Sequence, residues 1–373
     1  MCALNAVQKK MCALKHLPSD LVEAILPFLP PKSLGRFKSV SKRWYSLISS
    51  PNFIKTHIHI YTENNLNPDP THIILVPDEG DSLYSVGIKQ LNTQSSRATV
   101  NAKFLNFYKP LVEILGSCNG LLLASDVYNN LCIVNPTTGE KVPVAKSIHG
   151  TTYGFGYDSS KDDYKVISIS GMSVSDSDSM CKTVSVYSLR NNSWNMLTNF
   201  PYQQHDQYSH SQCPGVLLNN NLHWVVRNRR SKLTIAAFSL ANEEFCEIGL
   251  PDSFNYDLDK VSRVFALGGK LVGVLCDGLL SPDNFYELWV MKEYGVHMSW
   301  TKCCVFENNM HPCFEFFAQV SNRDILLGNN DANKFFIYKM DERRCTSVKI
   351  KWCQKVMVYG TYVESLESLK RFR

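Results

Sequence analysis

Apolar residues follow a helical period up to about residue 53 and a strand period beyond about residue 70. In the first stretch Leu21, Ile25, Leu26 and Leu29 recur at three- and four-residue spacing, which predicts one apolar stripe on a helix ended by Pro30. Ser19 is placed to cap that helix through its hydroxyl, and Asp20 sets negative charge against the positive end of its dipole. Pro31 suits the first position of a second helix, where a missing N–H costs nothing, and Leu34, Phe37 and Val40 keep helical spacing along it. Ser41 is placed to cap a third helix carrying Trp44, Leu47 and Ile48, which Pro51 stops. About a dozen large apolar side chains thus crowd some 35 positions. Burying one fully is worth roughly 1.5–3 kcal/mol, and a three-helix piece this short lacks the surface to bury them all. The pattern implies a cover, either a partner protein or the domain that follows.

Beyond residue 70 short β-rich runs alternate with turn residues, which predicts an all-β domain. Taking Tyr84, Val134, Tyr187, Phe238, Val290 and Tyr338 as equivalent positions gives steps of 50, 53, 51, 52 and 48 residues. That is the spacing of kelch-like propeller blades, and it predicts about six. Each unit also has an upstream strand pair, such as 118–125, 215–226 and 265–277, with Asn219–Asn221 and Gly268-Gly269 suited to tight hairpin turns. The last run, 356–366, lacks a unit of its own and is expected to complete the first blade, closing the ring and removing an exposed edge.

Charge separates the two regions. Residues 1–53 hold eight Lys and Arg against two acids, whereas residues 54–373 hold 31 basic and 32 acidic residues. A basic rim around an apolar face suits an acidic protein partner. Nucleic acid ranks lower, because the rest of the chain has neither a basic stripe nor a stacking motif. The tetrapeptide MCAL occurs at 1–4 and again at 11–14, as an alternative start or a duplication. Neither copy has a signal-like apolar run, and no run of 18 apolar residues follows, so the expectation is a soluble cytoplasmic and/or nuclear protein without membrane contact. Thirteen scattered cysteines without a C-x-x-C pair argue against a disulfide framework or a structural zinc site, and Cys118, Cys132 and Cys276 read as small buried hydrophobes.

The order Leu17-Pro18, Asp20-Leu21, Ile25-Leu26, Leu29-Pro30, Lys32-Ser33-Leu34, Arg36-Phe37, Val40-Ser41-Lys42, Trp44, Leu47-Ile48, Pro51, Phe53 resembles a plant-type F-box. The resemblance implies binding to a Skp-type adaptor, and through it to a cullin scaffold, with Leu17, Pro18, Leu21, Ile25, Leu26, Leu29, Pro30, Leu34, Phe37, Val40, Trp44, Leu47 and Ile48 as the interface. The β region resembles the plant F-box-associated interaction domain through Ser117–Leu122, Asn135–Thr138, Gly154–Asp158 with Asp163–Val166, Leu222-His223-Trp224, Glu287–Met291 with Trp300-Thr301, and Tyr362–Leu366. Asn219–Asn221 stands where that family usually has a Gly before the Leu-His-Trp run. Both resemblances, which extend to immune-regulatory and pollen S-locus-type receptors, imply a substrate receptor of a Skp–cullin–F-box ubiquitin ligase that marks an unknown protein for proteasomal degradation.

The domain boundaries follow: a tail to residue 14, the F-box over 15–53, a linker over 54–70, the propeller over 71–366 and a basic tail over 367–373. Target-gripping residues are sought in the long loops 171–182, 202–213, 227–232, 278–285 and 307–313, with His205, Tyr208, His210, Arg227, Arg229 and Arg230 as candidates. Arg227–Arg230 suits a phosphate or acidic peptide, or is an exposed turn. His57 and His59 would share a strand face as a metal pair, but no third ligand is placed nearby, and packing or surface histidines account for them. His205, His210 and Cys213 could meet a metal, although a solvated loop explains them better; no metal or other cofactor is expected. Asp176 and Asp178 read as solvated. Gly154 and Gly156 lack the third glycine of a dinucleotide fingerprint and are assigned to tight turns. Trp194, Trp224, Trp289 and Trp300 recur at blade positions as core. No nucleophile stands with a base at motif spacing, so the chain reads as a non-catalytic receptor. A propeller-fold enzyme and a non-degradative adaptor are the alternatives.

Overall fold

In the computed structural model the chain forms two units, Met1–Pro68 with Ser365–Glu367, and Asp69–Glu364 with Ser368–Arg373. The structure describes residues 18–63, 72–77, 83–88, 103–105, 111–126, 128–146, 152–171, 182–204, 214–251, 261–276, 285–307, 314–321, 324–329, 334–348 and 356–372. Among these, no helix is long and apolar enough to cross a membrane.

The helical unit contains four helices where three were expected. Helix α1 (Ser19–Ile25) runs into a 3-10 turn at Leu26–Phe28, and α2 (Pro31–Phe37) and α3 (Lys42–Ser49) follow. Ser41 caps α3 as expected, its Oγ accepting the Trp44 N–H at 3.1 Å. The cap position of α1 falls one residue earlier than expected. Pro18 holds that position with φ −53°, which puts Ser19 inside the first turn. Pro51 is a start as well as a stop: it opens α4 (Pro51–Glu63), and Ser50 Oγ accepts the Phe53 N–H at 3.2 Å. Helix therefore occupies residues 54–63, where a linker was expected. Leu26, Leu34, Ile48 and Phe53 form the core of the unit, joined by Leu366 from the far end of the chain. His57 and His59 lie on helix, not strand, so two-residue spacing turns them apart. His57 is buried with its Nε2 3.0 Å from the Leu29 carbonyl, while His59 is exposed.

The second unit is a six-bladed propeller. Blade 1 holds β1 (His72–Pro77), β2 (Leu83–Gly87) and β3 (Lys103–Leu105). Blade 2 holds β4 (Leu111–Cys118), β5 (Leu121–Asp126), β6 (Leu131–Val134) and β7 (Lys141–Pro143). Blade 3 holds β8 (Thr152–Asp158), β9 (Asp163–Gly171), β10 (Lys182–Ser188) and β11 (Ser193–Asn199). Blade 4 holds β12 (Gln203–Gln204), β13 (Val216–Leu218), β14 (Asn221–Arg227), β15 (Leu233–Ser239) and β16 (Phe245–Ile248). Blade 5 holds β17 (Val261–Leu267), β18 (Lys270–Cys276), β19 (Phe285–Met291) and β20 (Trp300–Glu307). Blade 6 holds β21 (Phe314–Ser321), β22 (Asp324–Asn329), β23 (Lys334–Lys339) and β24 (Arg344–Val348).

The last strand, β25 (Val356–Tyr362), pairs antiparallel with β1 and completes blade 1. Tyr362 Oη and Ser85 Oγ, 2.9 Å apart, tie it to β2. Innermost strands touch in the order β25, β4, β8, β14 with β13, β17, β21 and back to β25, so the ring is closed. Tyr84, Val134, Tyr187, Phe238, Val290 and Tyr338 each fall on the third strand of their blade, counting from the axis.

The family marks acquire structural causes. Asn119 and Gly120 take φ of 51° and 80°, and Asn219 and Asn220 take 48° and 60°, so asparagine does serve where glycine is usual. Gly154 and Gly156 are not turn residues. They sit within β8, where a Cβ on Gly154 would come 2.7 Å from Trp224 and one on Gly156 2.5 Å from Leu240. Trp224 and Trp300 are buried and Trp194 and Trp289 partly so. The indoles of Trp194 and Trp300, each at the start of an outer strand, donate to Ala145 O and Gly249 O just past the outer strand of the preceding blade. Residues 368–372 are no free tail. Leu369–Phe372 form a 3-10 turn whose Leu369 and Phe372 enter the core between blades 2 and 3. Glu140 accepts the Leu369 N–H at 2.7 Å, and Arg371 pairs with Asp162 at 3.2 Å.

Candidate functional site

Two surfaces stand out. On the helical unit, Leu21, Ile25, Phe28, Val40 and Tyr45 expose 50–61% of their surface, far more than large apolar side chains need to. Lys32, Arg36, Lys42 and Arg43 are exposed on the same unit, and Arg43 pairs with Glu23 at 3.6 Å. Beneath, His57 is held neutral: burial lowers its pKa, and its bond to the Leu29 carbonyl pushes back more weakly.

On the propeller, adjacent strands within every blade are antiparallel. Neighbouring inner strands run parallel, as the Gly154–Gly215 bridge records. Alternation then puts the second-to-third strand connections and the blade-to-blade connections on one face, and tight first-to-second and third-to-fourth turns on the other. The strand ends that flank the loops 171–182, 227–232, 278–285 and 307–313 all lie on the first face. The loop 202–213 leaves from β12, whose Gln203 and Gln204 pair with Arg227 and Val226. The root of that loop therefore lies beside the 227–232 hairpin on the same rim.

Both ends of the chain within this unit, the start of β1 and the turn Leu369–Phe372, belong to the tight-turn face. That face is stiffened by a charge cluster joining blades 3 and 4. Lys165 Nζ lies 2.7 Å from Asp158 Oδ2, 2.7 Å from Glu243 Oε1 and 2.6 Å from the Leu240 carbonyl. Burial works against every charge here, but the Lys165 ammonium holds Asp158 and Glu243 below the usual carboxylate range, and the two carboxylates raise Lys165. His223 joins blade 4 to blade 5. Its Nδ1 donates to the Val216 carbonyl at 2.9 Å, which fixes the tautomer, so Nε2 accepts from Tyr294 Oη at 2.7 Å. Burial lowers the His223 pKa. Burial likewise pushes the Cys132 thiol up to about 11 and Cys304 up to about 12, which leaves neither a ready nucleophile. No group of three or more His, Cys, Asp or Glu that could hold a metal exists among the described residues.

Two family models match: the F-box domain over residues 14–56 and the F-box associated beta propeller domain over residues 74–369. The chain belongs to the F-box proteins that carry this propeller. It is similar to F-box protein CPR1 of Arabidopsis thaliana, at 29% identity over 94% of this chain and 88% of that one. An F-box/kelch-repeat protein of the same plant is 27% identical over 80% of this chain and 82% of its own length.

The F-box implies binding to a Skp-type adaptor, and the structure sorts the residues expected at that interface. Pro18, Leu21, Ile25, Pro30 and Val40 are exposed; Leu29, Phe37, Trp44 and Leu47 are half-buried. Leu26, Leu34 and Ile48 are core and hold the F-box together. Leu17 lies outside the described residues, as do His205, Tyr208 and His210. Arg227 is half-buried, its Nη1 donating to the Ser231 carbonyl at 2.9 Å, and Arg229 and Arg230 are exposed. Sequence reasoning missed Phe28 and Tyr45 on the apolar surface. Their helical offsets from Ile25 and Ser41 carried the signal, but both sit outside the stripes chosen as core.

Proposed function

We propose that this F-box protein is the substrate receptor of a Skp–cullin–F-box ubiquitin ligase and is itself non-catalytic. The observation that carries the reading is the set of large apolar side chains, Leu21, Ile25, Phe28, Val40 and Tyr45, left uncovered on a helical unit rich in cations. Covering the exposed half of each such side chain contributes on the order of 1 kcal/mol. The propeller's long-loop rim grips a protein target, and the receptor works by raising the local concentration of target lysines around a ubiquitin thioester it never touches. A cytoplasmic or nuclear site of action follows from that role. The test is a reconstituted reaction with adaptor, cullin scaffold, ubiquitin-conjugating enzyme and ubiquitin, read as ubiquitin transfer to lysines of the bound receptor. Transfer that disappears in the Ile25→Asp variant supports the reading. Adaptor binding with no transfer would instead make the chain a non-degradative adaptor.

A further inference from the structure

Several cations of the propeller are answered by a carboxylate of the same unit: Arg190 and Arg371 by Asp162, Lys161 by Glu243, Lys302 by Glu287 and Lys339 by Glu342. Arg229 and Arg230 in the β14–β15 hairpin differ from these. Residues 227–232 read Arg-Asn-Arg-Arg-Ser-Lys, four cations and no acid, in a region whose overall charge nearly cancels. Arg229 and Arg230 are exposed, and no carboxylate among the described residues pairs with either. The nearby Glu247 meets Asn228 instead, at 3.4 Å.

The turn is also held in shape. Asn228 Oδ1 accepts the Arg230 and Lys232 N–H groups at 3.0 and 3.2 Å, and the Asn228 N–H donates to the Lys232 carbonyl at 2.9 Å. Ser231 takes a φ of 59°, its N–H donating to the Asn228 carbonyl, while Arg227 clamps the Ser231 carbonyl. A turn fixed this way presents two guanidiniums at little cost in backbone entropy. Each offers a planar fork of donors that matches a carboxylate or a phosphate.

We propose that the 227–232 hairpin docks an acidic segment of the protein target, through Arg229 and Arg230 acting on carboxylates or phosphoryl groups. The proposal rests on the reading of the propeller rim as the target-binding surface. RNA is the less favoured ligand, because the cations are confined to one turn and form no stripe along the blade.

The test uses the full chain and three fluorescein-labelled dodecapeptides of alternating residues: Glu-Ser, its phosphoserine form, and Gln-Ser. Fluorescence anisotropy at low salt should register the two anionic peptides and not Gln-Ser, with binding that weakens as salt rises. Arg229→Glu with Arg230→Glu should lose about tenfold or more in affinity, whereas Lys270→Glu, an exposed cation at the tight-turn face, should keep it. A phosphoserine peptide held about tenfold tighter than Glu-Ser assigns the site to phosphorylated targets, and equal affinity assigns it to carboxylates. Absence of binding, an equal loss in the Lys270 variant, or tighter binding of a uridine dodecamer overturns the proposal. Adaptor binding is measured on the same samples, so failure of the hairpin and failure of the receptor reading leave different patterns.

Discussion

Replacing Phe372 by alanine puts the packed carboxy-terminal turn to a quantitative test. The ring is buried, edge-on to Tyr164 at 5.4 Å between centroids, with the Arg371 guanidinium 4.3 Å above its face. Leu121, Tyr187 and Leu369 belong to the same core cluster. Truncating a buried phenylalanine costs about 3–5 kcal/mol. A chain terminus can settle partly into the gap, which favours the lower end, about 3 kcal/mol. At about 2 °C per kcal/mol for a domain of this size, the propeller's melting transition should fall by about 6 °C. The control is Lys370→Ala, in the same turn and 83% exposed at its side chain, which should stay within about 0.5 kcal/mol of the parent. Differential scanning fluorimetry of the three proteins decides the matter. A Phe372→Ala shift no larger than that of Lys370→Ala would mean that residues 368–372 are a tail after all.

Three further outcomes are expected. Lys165→Met strands the buried carboxylate of Asp158, while Glu243 keeps Lys161 at 3.1 Å, and should cost about 3–5 kcal/mol at neutral pH, less as acid protonates Asp158. In the parent the cluster contributes fully above the ordinary carboxylate values of 3.8 and 4.5 and below the ordinary lysine value of 10.5, so denaturant midpoints should fall off on either side. Gly215→Ala, whose Cβ would lie 2.4 Å from the Trp224 ring, should cost about 1–3 kcal/mol in urea unfolding, whereas Gly35→Ala, with nothing within 4 Å, should gain about 0.4–1 kcal/mol. His223, whose pKa is lowered by burial from 6.5, contributes stability present above that value and lost as pH falls below it. Denaturant midpoints of the propeller should therefore fall as pH drops from about 7.5 to about 5.5, and His223→Gln should flatten that dependence.

The fold was legible because repetition speaks loudly. Six residues taken as equivalent positions in recurring runs all landed on third strands, and the orphan run at the end closed blade 1, since an unpaired edge has one partner left. Local rules worked where one residue decides, as at Ser41. They failed where one residue signals two things. Pro51 follows α3 and opens α4, the starting role assigned to Pro31 but not to it. The turn Leu369–Phe372 was hidden because its two apolar residues are interrupted by Lys370 and Arg371, whose charges suggested solvent. Gly154 and Gly156 were assigned to turns because close approach of Trp224 and Leu240 is a tertiary fact that no local pattern encodes. The apolar face of the F-box was legible as a set, but not its division. Spacing groups Leu21 and Ile25 with Leu26, and only packing reveals that the first two face outward and the third inward.

The most direct test of the receptor reading is the affinity of a purified plant Skp-type adaptor for the full chain, measured by isothermal titration against an Ile25→Asp variant. Ile25 is half exposed, so the variant should melt as the parent does. The account predicts tight binding by the parent and a loss of about a hundredfold or more in the variant, since a carboxylate buried without a partner costs several kcal/mol. Equal affinity of the two proteins, or no binding by the parent, would contradict it.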